Sequence, residues 1–236
     1  MRIVLDWLYD QKLYILVLMG TMFGWFWLLE NKKRLNINSL WAFILSVINS
    51  LVGLFFVKFF AFMEGAPGGI SLFGGVFFMP VLYVVGAKLS KRSISDVCDV
   101  FAFNTIFTIM CARFNCLMGG CCVGRMIPGS ENLRWPTRVP ELIFYIILMI
   151  VLGRKMKDKR MRGKIYPLYW ICYGVFRFIF EFAREKDPQT LFHLSHLWAV
   201  LSVLIGLVFY YYPPKKQTKQ QPKHRIKIEK TEKGDI

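Results

Sequence analysis

Residues 39–62 read SLWAFILSVINSLVGLFFVKFFAF, and a single charge, Lys58, falls within them. The apolar residues run on without alternating, so this is not a half-buried strand. A helix needs about 20 apolar residues to cross the hydrocarbon of a bilayer. Inside lipid only a helix or a closed barrel satisfies every backbone group, and continuous apolar blocks favour the helix. Working outward, comparable blocks recur at 13–29, 70–87, 97–118, 138–153, 165–183 and 195–212. The chain is 55% hydrophobic and 19% charged, where a soluble domain carries roughly 25% charge. The fold class expected is therefore an all-α integral membrane protein with about seven transmembrane helices.

The net charge of +16 raises nucleic acid as a partner. The position of the basic residues argues against it, because they gather at the ends of apolar blocks. Lys32, Lys33 and Arg34 follow the first block, and Lys88, Lys91 and Arg92 follow the third. A run of seven between Arg154 and Lys164 follows the fifth, and eight lie in the tail from Lys215. With seven helices all of these share one side, so the positive-inside rule places the N-terminus outside and the C-terminus in the cytoplasm. The block at 13–29 has no small-residue cleavage site after it and is expected to be an uncleaved first helix. Residues 1–212 form one expected transmembrane unit. Residues 213–236, after Pro213-Pro214, form a basic tail too polar to bury a core. That tail is either a solvated topology signal or a contact for anionic lipid headgroups.

The other side of the chain carries the chemistry. Glu64-Gly65-Ala66-Pro67-Gly68-Gly69 leads into Leu72-Phe73-Gly74-Gly75, where the glycines allow either close approach of a ligand or close helix packing. Arg113 lies within an apolar block, and Arg125 follows the glycine turn Gly119-Gly120 and Gly124. Guanidinium groups suit bidentate phosphate contacts, so the pair points to a lipid headgroup site. In the sixth block Tyr173, Arg177, Glu181 and Arg184 recur at i, i+4, i+8 and i+11. That spacing sets them on one face, which must meet protein or a wet cavity rather than lipid. The stripe is either a functional surface or a structural ion pair. Glu141 opens the fifth block and either caps that helix or pairs with an arginine.

At these residues the chain resembles the prolipoprotein diacylglyceryl transferase family, as a divergent, cysteine-bearing member. The matching pieces are Gly74-Gly75, Arg113 through Arg125, Pro136-Thr137 to Glu141, and Tyr173-Gly174-x-x-Arg177-Phe178-x-x-Glu181-Phe182-x-Arg184, with Asp187 beyond. Tyr14 matches a family tyrosine in the first helix. The resemblance implies an enzyme of the bacterial cytoplasmic membrane with no metal or organic cofactor. It would move diacylglyceryl from phosphatidylglycerol to the cysteine thiol of a lipobox-containing preprolipoprotein, releasing glycerol 1-phosphate. Arg113, Arg125 and Arg177 would bind phosphate, Glu181 would orient Arg177, and Tyr173 would donate to the headgroup. Gly74, Gly75, Gly124, Glu141, Arg184 and Tyr14 would complete the substrate site.

The sequence departs from the family in three places. Phe73 stands where the best known members have a His before the Gly-Gly pair, and Cys116 and Cys121 stand where members place Asn and Glu. With Cys122 and Cys111 these thiols form a cluster that is structural, metal-binding with His193 and His196, or catalytic, with Cys121 or Cys116 as nucleophile or carrier. The alternatives to the main function are a related lipid or acyl transferase with another acceptor, and a lipid-binding membrane protein without catalysis.

Overall fold

The computed structural model describes residues 12–65, 71–120, 123–127, 129, 133–184 and 193–213. Among these the chain is helical, with no strand longer than an isolated bridge. The helices are α1 (Lys12–Glu30), the short α2 (Lys32–Leu35), α3 (Ser39–Met63), α4 (Leu72–Leu89), α5 (Ile94–Met118), α6 (Arg138–Met156), α7 (Ile165–Glu181) and α8 (Leu194–Tyr211). A 3-10 turn at Lys159–Met161 precedes α7.

The seven longer helices fall on the seven apolar blocks, with boundaries displaced by up to three residues. α5 begins three residues earlier than the block suggested, because Ser93 acts as its N-cap and accepts from the Asp96 amide at 3.4 Å. α7 ends at Glu181, two residues sooner, as Arg184 enters a bridge with Gly124. Four helices, α3, α4, α5 and α8, are long and apolar enough to cross a membrane. α7 is 17 residues long and carries Arg177 and Glu181, so the charges that make it interesting also lower its hydropathy. Leu51, Phe55 and Phe62 on α3 are each at least 60% exposed, an apolar exterior that suits lipid rather than water.

α5 is the central helix. Its side chains are buried along nearly its whole length, from Ser95 to Arg113, and it packs against α1, α4, α6 and α7. At its start, Asp96 and Asp99 bind the segment around α2 and the turn before α7. Arg34 Nε and Nη2 donate to Asp96 at 2.9 Å and Asp99 at 2.8 Å, and Arg162 grips Asp96 with two bonds of 2.6 and 2.5 Å. Asp99 also accepts from the backbone amides of Gly163, Ile165 and Tyr166. It therefore satisfies orphan amides at the first turn of α7 and fixes where that helix begins.

α7 and α8 form the most extensive helix contact among the described residues. A Cβ on Gly174 would lie 2.6 Å from Ala199 O, and one on Gly206 would lie 3.0 Å from Pro167 O. Small residues at these two crossings let the backbones touch, as in membrane helix pairs generally.

Candidate headgroup site

The far end of α5 carries Arg113, about 21 Å along the axis from Asp99 at 1.5 Å per residue. Arg113 Nε lies 2.6 Å from Glu141 Oε2 in the first turn of α6. Glu141 Oε1 lies 3.2 Å from Arg177 Nη1 on α7. Arg177 Nη2 is 3.0 Å from Glu181 Oε2, and Arg184 Nη1 is 3.7 Å from the same oxygen. Ser195, at the start of α8, donates to Glu181 Oε1 at 2.8 Å. Three guanidinium groups and two carboxylates thus form one chain of ion pairs drawn from α5, α6 and α7. Every member is buried or nearly so, with Glu181 at 1% and Arg113 at 4% exposure.

The three arginines of this chain line a cavity of about 220 Å³. Arg113, Arg177, Arg184 and Ser195 face it from α5, α7, the end of α7 and α8, and Glu64, Ser71, Leu72 and Phe73 face it from the α3–α4 end. Cys116 and Asn115 also line it. A second cavity of about 100 Å³ lies between α1, α3, α4 and α5 and is lined mainly by apolar residues. The two share Leu72, Ala112 and Asn115. The polar chamber and the apolar one are thus neighbours that share a wall.

The expected site residues fall into three groups. Arg113, Arg177, Glu181, Arg184 and Glu141 come together as described. Of the two alternatives for Glu141, the structure shows the pairing, with two arginines, while the N-cap position of α6 is Thr137 and has no side-chain cap bond. Arg125 stands beside the cluster, its backbone amide donating to Ala183 O at 3.0 Å and its Nε to Arg184 O at 3.2 Å. Tyr173 is fully buried next to the cluster, its ring edge-on to Phe73 at 6.3 Å, and its hydroxyl has no hydrogen-bond partner among the described residues.

The second group serves packing. A Cβ on Gly74 would lie 2.3 Å from Phe56 O, and one on Gly124 2.1 Å from Trp135 O. Gly74 seats α4 against α3, and Gly124 closes the loop that carries Arg125. Gly75 lines the apolar cavity. The third group lies elsewhere. Tyr14 is 70% exposed and lines neither cavity. Cys121, Cys122 and Asp187 lie outside the described residues. Cys98, Cys111 and Cys172 are free thiols, and Cys98 and Cys172 line neither cavity.

Phe73 occupies the cavity wall where a base would stand. Its ring lies 5.6 Å from the Arg177 guanidinium carbon, a cation–π distance. The ring cannot take a proton, and it supports Arg177 instead. Sequence reasoning missed Ser71, Asn115 and Ser195. A lone serine or asparagine in an apolar block has no spacing that marks it.

A family model described as prolipoprotein diacylglyceryl transferase matches residues 12–212. The chain belongs to the prolipoprotein diacylglyceryl transferase family. Curated relatives named phosphatidylglycerol--prolipoprotein diacylglyceryl transferase include one from Pectobacterium atrosepticum, 26% identical over 65% of this chain and 66% of the relative. One from Mannheimia succiniciproducens is 32% identical over 60% of this chain and 59% of the relative. One from Escherichia coli is 28% identical over 52% and 53%. The chain spans about three fifths of the length of the curated relatives it matches. For this family member, the matched stretch contains all five residues of the ion-pair chain and both cavities.

Proposed function

We propose that this family member is a membrane transferase that moves diacylglyceryl from phosphatidylglycerol to the cysteine thiol of a secreted lipoprotein precursor. The observation that carries the reading is the cavity lined by Arg113, Arg177 and Arg184 that shares Leu72, Ala112 and Asn115 as a wall with an apolar one. The phosphate would sit against the guanidinium groups and the acyl chains in the apolar space. The thiolate sulfur attacks the glyceryl carbon, forming a C–S bond. The C–O bond to phosphate breaks, and glycerol 1-phosphate leaves with the electron pair. The thiol proton passes to solvent.

The charge that grows on the departing phosphate falls next to preset arginines, so no reorganisation is needed as the bond breaks. The same positive charges favour the thiolate of the incoming cysteine. Glu141 and Glu181 act by holding Arg113, Arg177 and Arg184 in place, since both are engaged by those groups. Arg125 supports Arg184 through its backbone, and Tyr173 packs beneath the cluster.

The topology proposed with this activity has seven spans, the N-terminus outside and the tail after Pro213 in the cytoplasm of a bacterium. It sets the Asp96–Asp99 end of α5 on the cytoplasmic side and the arginine cavity at the outer leaflet, where a lipobox cysteine emerges. The test is to incubate the purified protein with phosphatidylglycerol and a lipobox peptide. Thioether-linked peptide and free glycerol phosphate are expected; their absence would refute the activity.

A second reading is favoured by Cys116, which lines the polar cavity. In it a cysteine of this chain takes the diacylglyceryl group first and passes it to another acceptor. A lipid adduct on Cys116 by mass spectrometry would select this reading over direct transfer.

A further inference from the structure

Arginines bind the phosphate that every phospholipid carries, so they do not by themselves choose phosphatidylglycerol. Three guanidinium groups on the cavity wall against one carboxylate, Glu64, disfavour an ammonium headgroup. Choosing among the remaining lipids requires contacts with the headgroup alcohol, and a hydroxyl and an amide side chain on the cavity wall, Ser71 and Asn115, take no part in the ion-pair chain.

Ser71 occupies the N-cap position of α4 with extended backbone, yet its side chain makes no capping bond. The equivalent residues of α3 and α5, Asn38 and Ser93, both cap. A serine that forgoes this bond gives up a stabilising contact. Ser71 is 8% exposed, its Oγ has no hydrogen-bond partner among the described residues, and it lines the polar cavity. Asn115 lines the same cavity where it meets the apolar one, and its Oδ1 is likewise without a partner among the described residues. Other buried polar atoms without a partner among the described residues, such as the Tyr166 and Tyr169 hydroxyls, lie in the helical core, whereas Ser71 and Asn115 lie on a cavity wall where a ligand can pair them.

We propose that Ser71 and Asn115 read the hydroxyls of an alcohol headgroup and so select phosphatidylglycerol among phospholipids. This deepens the transferase reading and rests on it. The headgroup glycerol has two hydroxyls on adjacent carbons. One donates to Asn115 Oδ1; the other exchanges a hydrogen bond with Ser71 Oγ. A lipid lacking those hydroxyls leaves both protein atoms buried and unpaired, which is how a polar site rejects an analogue.

The experiment compares two donors with matched acyl chains, phosphatidylglycerol and phosphatidylethanol, using the purified full chain in detergent micelles and a lipobox peptide. Phosphatidylethanol keeps the phosphate and lacks the hydroxyls. The unaltered protein is expected to prefer phosphatidylglycerol by about 10²-fold or more in kcat/KM. Ser71→Ala and Asn115→Leu are each expected to lower that ratio by about tenfold or more, and Ser71→Thr, which keeps the hydroxyl, to preserve it. Equal use of both donors by the unaltered protein overturns the inference and leaves the transferase reading intact. So does a ratio that survives either substitution, including a variant that loses both donors in proportion. Product from neither donor overturns the transferase reading, and this inference falls with it.

Discussion

Two clusters of buried charge sit at opposite ends of α5, and they are built differently. At the start of the helix, Arg34 and Arg162 face Asp96 and Asp99, two charges of each sign. Asp99 also takes three backbone amides, so its oxygens are fully used by the fold. At the far end, Arg113, Arg177 and Arg184 pair with Glu141 and Glu181 in the chain of ion pairs. That end opens onto a polar cavity, and none of the residues of the first cluster lines either cavity. A balanced cluster closed by backbone amides joins helices. One whose guanidinium groups line a chamber also presents them to whatever enters it. Burial of the carboxylates does not separate the two, since Asp99 is as buried as Glu181, but the cations differ, the Arg162 side chain being half exposed and Arg113 and Arg177 buried.

Substitutions at the two ends should therefore have different signatures. Arg177→Ala removes the group that links Glu141 to Glu181 and faces the cavity. We expect thioether formation to fall by about 10²- to 10³-fold, the loss typical of one preorganised donor at a developing charge. Insertion into the membrane should persist, as shown by expression and fractionation. Asp99→Ala should act the other way. It leaves three amides and Arg34 Nη2 without their acceptor, while Arg34 Nε keeps Asp96, and we expect a loss of about 3–5 kcal/mol of stability, the range for breaking a buried ion pair. Thermal unfolding in detergent checks this. If Asp99→Ala keeps its melting temperature but loses activity, the contrast between the two ends fails.

Gly174→Ala tests the link between α7 and α8 with a smaller effect. The new methyl group meets Ala199 O and Val203 N, so overpacking of about 1–3 kcal/mol is expected, with Ser195 displaced from Glu181. Activity should fall more than stability, measured on the same preparation. Tyr14→Phe marks the lower limit. Tyr14 is exposed and removed from both cavities, so kcat/KM should stay within about twofold, as for surface changes away from special features.

Most of the helical frame was legible in the sequence, because a hydrocarbon solvent demands long apolar blocks and leaves their edges plain. The stripe Tyr173, Arg177, Glu181 and Arg184 was legible for a related reason: polar residues at helical spacing stand out in an apolar run. Arg34 and Arg162 were read only as topology signals. Their partners Asp96 and Asp99 escaped notice, although acids at the start of an apolar block that faces basic loops were a usable clue. Glu141 was recognised without its pairing, since sequence cannot say which of several arginines a carboxylate meets across three helices. The departure at Phe73 was visible, and its consequence was not. Only the packing shows the ring beneath Arg177.

One rod carries both clusters. Because Asp96 and Asp99 clamp α5 to α7 at its start, α5 is not free to slide along its axis toward a thicker or thinner hydrocarbon layer. Bilayers of mismatched thickness must be met by local deformation of the lipid or by tilting of the outer helices. The distance between the clamp and the arginine chamber then stays constant across membranes, and chain length in the surrounding lipid becomes a property of the solvent rather than a control on the site.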